Sequence, residues 1–140
     1  MNADKMGTSS VSTEDVRLTK VGKALRKYKL DELPQFFNVI KGEMSMVGPR
    51  PQVAWIVKLY TPQEEVVLQV KPGITDKASI KFHNQEELIS GNPAPDKFYM
   101  EKIHPEKMRL ALKYVNNYSF LNDLKIISLT FFTLVKTRIR

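Results

Sequence analysis

The stretch that decides the local fold is Asp31-Glu32-Leu33-Pro34-Gln35-Phe36-Phe37-Asn38-Val39-Ile40-Lys41-Gly42. It predicts a helix from Glu32 to about Lys41, because Asp31 can cap its start, proline is tolerated in the first turn and glycine ends a helix. The apolar residues recur at helical spacing and form one face, made of Leu33, Phe36, Phe37 and Ile40. Two adjacent carboxylates therefore stand at the beginning of a helix.

A basic helix is predicted immediately before this stretch. Its apolar face consists of Leu18, Val21, Leu25 and Tyr28, and its other face carries Lys20, Lys23, Arg26 and Lys27. Residues 1–14 are polar and show no apolar periodicity, so we interpret them as a flexible lead-in. The folded domain should then cover residues 15–140.

Two proline-containing loops follow the first helices. After an extended piece around Met44 to Val47, the run Gly48-Pro49-Arg50-Pro51 predicts a rigid loop, because its two prolines fix the backbone. This loop presents a single arginine. A second rigid turn is predicted at Lys71-Pro72-Gly73-Ile74-Thr75.

The remaining pattern is mainly helical. It predicts helices from Gln52 to Tyr60, after a capping box at 61–64, after Asn84 as far as Gly91, from Pro105 to about Asn117, and from about Leu121 onwards. A strand is predicted at Ala78 to Phe82, where apolar and polar residues alternate, and a loop at Asn92 to Pro95. His83 and His104 fall in loop-like surroundings. The fold class is therefore α+β: a mainly helical single domain with short strands and amphipathic helices.

The last helix allows two interpretations. Its apolar stripe contains Phe120, Leu124, Ile127, Phe131, Leu134 and Val135, widened by Ile126, Leu129 and Phe132. Basic residues stand near its end, namely Lys136, Arg138 and Arg140. Such a helix can pack in a protein core, or it can lie in a membrane interface with its basic residues at the headgroups.

The composition limits the chemistry. The 140 residues contain no cysteine and only two histidines, which excludes a disulfide framework and a thiolate nucleophile and leaves a poor set of ligands for zinc. Catalysis must come from carboxylates, basic groups or a hard cation. The net charge of +7 favours a polyanionic partner, which can be nucleic acid, anionic lipid or a phosphorylated substrate.

Asp31 and Glu32 have both a structural and a chemical interpretation. Structurally, they are an N-cap and a glutamate well placed on the helix dipole. Chemically, the helix start and the basic neighbours would keep Asp31 ionised as a nucleophile, and Glu32 could help to bind magnesium. Arg50, held between prolines, suits bidentate binding of a phosphate, although such a loop can also be an ordinary surface turn.

Taken together, three segments closely resemble the bacterial sugar transferases, the monotopic polyprenyl-phosphate phosphoglycosyl transferases. They are Leu30 to Gln35, Asn38 to Pro51, and Lys71 to Thr75, and their order and spacing are kept. The similarity runs from about Leu18 to Thr75. The segment Ala78 to Asn84 and the tail Tyr114 to Ile127 resemble one subgroup of the family.

The resemblance implies a two-step reaction. An aspartate attacks a UDP-sugar and expels UMP, and the phosphosugar-enzyme then reacts with polyprenyl phosphate. Carried over by position, Asp31 is the nucleophile, Glu32 the partner of Mg²⁺, and Arg26 and Arg50 bind phosphate. The substrate-site loops contain Pro49, Pro51, Pro72, Gly73 and Thr75.

The resemblance also implies a place in the cell. Family members begin with a hydrophobic re-entrant helix that this chain lacks, so an N-terminally truncated catalytic part is expected, peripheral on the cytoplasmic face of the bacterial inner membrane. Its partners would be a UDP-sugar, polyprenyl phosphate and an anionic membrane surface. The segment after the Pro72 turn departs from the family pattern and leaves the sugar open. A non-catalytic fragment or a basic nucleic-acid-binding module stay as alternatives, although no nucleic-acid motif is recognised.

Overall fold

The structure is a computed structural model that describes residue 19, residues 33–90 and residues 92–139, without the side chains of 86, 90 and 137–139. Its helices are α1 (Pro34–Ile40), α2 (Ala54–Val57), α3 (Lys77–Lys81), α4 (Gln85–Ser90), α5 (Pro95–Phe98), α6 (His104–Asn116) and α7 (Phe120–Ile139). A 3-10 helix spans Glu65–Gln69, a π-helix spans Tyr99–Ile103, and the strands are β1 (Ser45–Val47) and β2 (Gly73–Thr75). The prediction of a mainly helical α+β fold is confirmed. The predicted lead-in and basic helix lie outside the described residues.

The chain divides into two compact units. One contains Met1–Asp31 and Asn84–Pro105, and the other contains Glu32–His83 and Glu106–Arg140. In the described part of the first unit, α4 packs on α5, which leads into the π-helix. Its buried side chains include Ile89, Tyr99, Ile103 and His104. The expected loop around His104 is therefore wrong, because this histidine is buried where α6 begins, and Pro95 starts a helix that the sequence pattern did not reveal.

The second unit is organised around a parallel pair of short strands. Ser45 in β1 lies opposite Gly73 in β2, and Val47 lies opposite Thr75. The predicted rigid turn at 71–75 is thus wrong over its second half, where the backbone is a strand. The reason is long-range pairing: Ser45 donates its N–H to the carbonyl of Pro72 at 2.8 Å, and Gly48 donates to Thr75 at 3.1 Å.

The strand predicted from Ala78 to Phe82 is also wrong, because these residues belong mostly to α3. Asp76 caps this helix by accepting the N–H of Ser79 at 2.5 Å. An N-cap carboxylate satisfies one of the donors that a helix start leaves open, and this local signal outweighs the apolar alternation. Lys81 at the end of α3 pairs with Glu106 of α6 at 2.5 Å.

Two apolar clusters form the core of the second unit. Helix α6 contributes Met108 and Ala111, which pack on Val67 of the 3-10 helix, as the predicted apolar face of this helix requires. The second cluster joins Val47 of β1, Tyr114 of α6 and Ile126 of α7, with Ile80 packed against it. The strand β1 is thereby fixed between two long helices.

Two predicted helices are confirmed in a shorter form. The helix expected from Gln52 to Tyr60 is reduced to α2, and the capping box before the 3-10 helix forms as predicted. Glu64 accepts the Thr61 N–H at 2.8 Å, and the Thr61 hydroxyl oxygen accepts the Glu64 N–H at 3.3 Å. Gly42 ends α1 with a φ of 78°, a left-handed conformation that favours glycine.

Much of the apolar surface of α1 and α7 is exposed. In α1, Phe37 is 67% exposed and Ile40 is 81% exposed, so this apolar face is not part of the core. In α7, Ile126 is fully buried, but Phe120 is 79% exposed and the other members of the predicted stripe are exposed as well. The interpretation of α7 as a helix packed in the core is therefore confirmed only for the face that carries Ile126. Among the described helices, none combines the length and apolar character needed to cross a membrane.

Candidate functional site

The Arg50 loop is joined to the segment after Pro72 by backbone contacts at two glycines. Gly73 donates its N–H to the carbonyl of Pro49 at 3.1 Å, and Gly48 and Gly73 approach each other closely. A Cβ at position 48 would lie 2.7 Å from the carbonyl oxygen of Lys71, and one at position 73 would overlap the Gly48 backbone. Only glycine fits at this crossing, which brings the two predicted substrate-site loops together.

Arg50 is held at both its backbone and its side chain. Its N–H donates to Oδ2 of Asp76 at 3.3 Å, and its Nη1 donates to the carbonyl of Ile74 at 3.1 Å. Asp76 is 5% exposed and also caps α3 through Ser79. One buried carboxylate thus fixes both the arginine loop and the start of the next helix.

A pocket opens beside this arginine within the second unit. Three of its lining residues carry ionisable side chains: Arg50, Asp76 and Lys107. The other lining residues are Pro49, Gln52, Tyr60, Val67, Ala78, Ser79, Met108 and Ala111. The pocket therefore combines an apolar wall with an arginine, a lysine and a carboxylate.

The environment of the pocket shifts two pKa values. Desolvation lowers the pKa of Lys107 to about 8. The charge of Asp76 opposes this shift, and the charge of Arg50 adds to it. Desolvation, and then the charge of Glu64, raises the pKa of Tyr60 to about 12. Tyr60 therefore stays neutral at physiological pH, while Lys107 is mostly protonated but close to its titration range.

The remaining loop residues have different surroundings. Pro49 is buried and lines the pocket, Pro51 is exposed, and the carbonyl of Pro72 accepts the Ser45 bond. The Thr75 hydroxyl lies 2.7 Å from that of Thr130, whose own O–H donates to the carbonyl of Ile126. Thr75 is therefore the donor in this pair, and its side chain connects β2 to α7 rather than lining the pocket.

A tyrosine supports the strand that leads into the arginine loop. The hydroxyl of Tyr114 lies within hydrogen-bond distance of the Val47 carbonyl at 3.1 Å and of Asp123 Oδ1 at 2.9 Å. Burial, followed by the bond to Asp123, raises the pKa of Tyr114. This contact fixes β1, α6 and the first turn of α7 immediately before Gly48.

Sequence reasoning missed four residues of this region: Asp76, Lys107, Tyr114 and Asp123. The spacing of Asp76 and Ser79 is a capping signal that was available in the sequence. The other three carry no local signal, because their roles depend on contacts with residues far away in the chain. Asp31, Glu32 and Arg26 lie outside the described residues, so their predicted roles stay predictions.

The predicted magnesium site cannot be assembled from the described residues alone. Within residues 33–90 and 92–139, no group of three or more ligating side chains is suitably placed to hold a metal ion. Mg²⁺ often uses only one or two protein carboxylates, together with water and substrate phosphates. Glu32 as its carboxylate ligand therefore stays a prediction.

Comparison with known proteins identifies the family. The model for the family described as bacterial sugar transferase matches residues 1–137. The chain belongs to the bacterial sugar transferase family. The resemblance carried by the Asp-Glu and Gly-Pro-Arg-Pro motifs is thereby confirmed.

Several characterised and uncharacterised relatives are similar over most of this chain. The uncharacterized sugar transferase EpsL of Bacillus subtilis is 39% identical over 130 residues, which are 93% of this chain and 56% of EpsL. The UDP-glucose:undecaprenyl-phosphate glucose-1-phosphate transferase of Klebsiella pneumoniae is 40% identical over 134 residues, covering 94% of this chain and 26% of that protein. The undecaprenyl-phosphate galactose phosphotransferase of Salmonella typhimurium is 36% identical over 113 residues, covering 81% of this chain and 20% of that protein. The chain thus spans between a fifth and about half of the length of these relatives.

Proposed function

We propose that this protein transfers a sugar-1-phosphate from a UDP-sugar to polyprenyl (undecaprenyl) phosphate and releases UMP. This would be the first membrane step in the synthesis of an exopolysaccharide, capsule, O-antigen or glycoprotein glycan. The observation that carries the proposal is the family match, and the fixed mounting of Arg50 by Asp76 and the Ile74 carbonyl supports it. The Klebsiella relative is named for this reaction with UDP-glucose.

The proposed chemistry proceeds in two balanced steps. The carboxylate of Asp31 attacks the β-phosphorus of the UDP-sugar, the bond from this phosphorus to the bridging oxygen breaks, and UMP leaves. A phosphate oxygen of polyprenyl phosphate then attacks the phosphorus of the adduct. The aspartyl bond breaks, the carboxylate of Asp31 is restored, and the product is a polyprenyl diphosphate sugar.

The positive residues make this attack possible. A carboxylate approaching a diphosphate is repelled by the negative oxygens, and the repulsion is stronger in a partly desolvated site than in water. The guanidinium of Arg50 is directed by the bond from its Nη1 to the Ile74 carbonyl, and a guanidinium is the side-chain group whose planar fork matches phosphate oxygens. Arg26 is proposed to share this task, and a magnesium ion associated with Glu32 would neutralise further charge.

We place the protein on the cytoplasmic face of the bacterial inner membrane as a peripheral protein. The reaction requires a water-soluble nucleotide sugar and a lipid phosphate to meet at one surface. The exposed apolar residues of α1 and α7 and the net charge of +7 support attachment to an anionic membrane surface. The identity of the transferred sugar stays open among the sugars that occur in the names of the relatives.

The proposal is tested by measuring UMP release. The chain is incubated with Mg²⁺, undecaprenyl phosphate in detergent, and separately UDP-glucose, UDP-galactose or UDP-N-acetylgalactosamine. At least one donor should give UMP, and Asp31→Asn should lower the rate on the order of a thousandfold or more, because the nucleophile is lost. The matched control is Asp96→Asn, at a carboxylate without a role in the reaction.

Two results would contradict the proposal. One is the absence of UMP with all three donors from a chain whose circular dichroism shows it folded. The other is near-normal turnover by Asp31→Asn. A phosphosugar adduct on the wild-type chain, detected by intact mass and missing in Asp31→Asn, would support the covalent step directly.

A further inference from the structure

Helix α7 contacts both strands of the second unit through one of its faces. Asp123, Ile126 and Thr130 follow one another at steps of three and four residues, so their side chains lie on the same side of the helix. Ile126 is fully buried and packs with Val47 of β1, whereas the other described apolar side chains of α7 are exposed. We call the side that carries residues 123, 126 and 130 the inner face of α7.

The first polar contact of the inner face reaches β1 through a tyrosine of α6. The Tyr114 hydroxyl lies 2.9 Å from Oδ1 of Asp123 and 3.1 Å from the carbonyl oxygen of Val47. Carboxylate and carbonyl oxygens are acceptors, so the single phenolic proton lies between two of them and the hydroxyl bridges α7 and the strand. Val47 is the last residue of β1. The bridge therefore fixes the backbone three residues before Arg50.

The second polar contact of the inner face reaches β2. The hydroxyl groups of Thr130 and Thr75 are 2.7 Å apart, and Thr75 is the last residue of β2. It directly precedes Asp76, whose Oδ2 accepts the N–H of Arg50 at 3.3 Å. Helix α7 thus holds the chain shortly before each partner of the hydrogen bond between Arg50 and Asp76.

On the basis of the proposed function, we propose that the inner face of α7, together with Tyr114, positions Arg50 for the transfer of the sugar phosphate. Asp123, Tyr114 and Thr130 are positioning residues in this role, because they act through the two strands and need no contact with the substrate. A charged donor aimed at a reacting phosphate must be held accurately, since a small displacement caused by a remote change lowers the rate. A purely structural role would lower the stability of the unit without acting through Arg50.

The first test measures kcat for UMP release with Mg²⁺, undecaprenyl phosphate and a UDP-sugar that is turned over. Tyr114→Phe and Thr130→Val each remove one hydroxyl and keep the shape of the side chain. Each should lower kcat about 3- to 10-fold, the effect of one lost hydrogen bond. Tyr118→Phe and Ser128→Ala remove exposed hydroxyls nearby and are the matched controls, which should keep the rate of the wild type.

A double-mutant cycle with Arg50→Lys separates positioning from a structural role. If Tyr114 acts through the guanidinium, Tyr114→Phe should lower kcat by less than about twofold in the Arg50→Lys background, because the group it positions is already missing. Two independent effects would multiply, and full multiplication of the two losses would overturn the proposal.

Hydrogen exchange of single amides, followed by NMR, gives a readout that needs no activity. Tyr114→Phe and Thr130→Val should lower the protection of the Arg50 amide about threefold or more, because the backbone on one side of its bond to Asp76 is released. The Val67 amide, which donates to the Glu64 carbonyl at 3.0 Å, is the internal control and should keep its protection. An equal loss at both amides would reveal general destabilisation and would overturn the positioning role.

A second pair of variants tests the bridge should Tyr114→Phe fail to fold. Asp123→Asn keeps an oxygen that accepts the Tyr114 O–H, so it should retain more of the rate and of the Arg50 amide protection than Asp123→Ala. The same two values for both variants would overturn the bridge from α7 to β1.

The outcomes also separate this inference from the proposed function. If the wild type releases UMP and the variants keep both kcat and the protection of the Arg50 amide, the positioning role is overturned and the reaction stands. If the folded chain releases no UMP from any donor, but the Arg50 amide loses protection selectively in the variants, the proposed function fails and the hold of α7 on Arg50 is supported.

Discussion

At the scale of single residues, the site depends on one buried carboxylate. Asp76 fixes the backbone of Arg50 and the start of α3 at once, so the arginine is attached to a folded element rather than to a free surface turn. This observation weakens the interpretation of Gly-Pro-Arg-Pro as an ordinary surface loop. Flanking prolines restrict the backbone, and the bond from Nη1 to Ile74 then directs the guanidinium.

Replacing Arg50 by lysine should impair the reaction although the charge is kept. An ammonium group cannot hold the Ile74 carbonyl and a phosphate in the fixed geometry of a guanidinium. Because hydrogen bonds to charged groups contribute about 1.5–3 kcal/mol each, we expect Arg50→Lys to lower the rate of UMP release about 10- to 100-fold. Arg109→Lys, at an exposed arginine paired with Glu106, is the control and should change the rate little. If Arg50→Lys releases UMP at the rate of the wild type, Arg50 is an ordinary surface residue without a role in the reaction.

At the scale of elements, the sequence predicted what local signals determine. The capping box at Thr61, the end of α1 at Gly42 and the apolar face of α6 are all confirmed, because each depends on residues within a few positions of one another. The pairing of β1 with β2 could not be predicted in this way. Its three-residue strands are stabilised by partners almost 30 residues away, and Gly73 looks like a turn residue until the approach of Gly48 is seen.

The same distinction applies to the candidate site. Arg50 and the Pro72 segment could be predicted as neighbours because the family resemblance suggested that both belong to one site. The alternation from Ala78 to Phe82 was misleading, since the capping pair Asp76 and Ser79 decides for a helix. Lys107 could not be recognised, because its burial is a property of the folded unit.

The crossing of the two loops should be the most sensitive point of this unit. A methyl group at Gly73 would overlap the Gly48 backbone, so Gly73→Ala should destabilise the fold by about 3 kcal/mol or more, since backbone atoms must shift. Gly42→Ala is the matched control. Its Cβ would have room, with the closest atom at 3.7 Å, and only the positive φ adds strain, at a cost of about 1 kcal/mol. Urea unfolding of both variants measures the difference, and equal stability of the two would contradict the close approach.

At the scale of the whole molecule, exposed apolar helix faces and positive charge occur together. Soluble monomers rarely leave large contiguous apolar patches in water, and α7 exposes Phe131 and Phe132 in addition to most of its predicted stripe. Covering such a face with lipid is favourable by about 25 cal/mol for each Å² of apolar surface. Basic residues near an anionic surface add about 1 kcal/mol each, and the sequence has Lys136, Arg138 and Arg140 near its C-terminal end.

The apolar and the electrostatic contribution together predict reversible binding to anionic membranes. Liposome co-sedimentation can measure the two contributions separately. The chain should sediment with anionic liposomes at low salt and detach at high salt, because ions screen the attraction between exposed charges. Replacing Lys136, Arg138 and Arg140 together by serine should weaken the salt-dependent part of the binding. The control replaces the exposed Lys58, Lys102 and Lys113 by serine. It removes the same charge elsewhere and should weaken the binding less. Phe131→Ser combined with Phe132→Ser should weaken binding at every salt concentration, since the apolar contribution is not screened. If the wild type ignores anionic liposomes even at low salt, α7 does not attach this chain to the membrane and its exposed face must serve another contact.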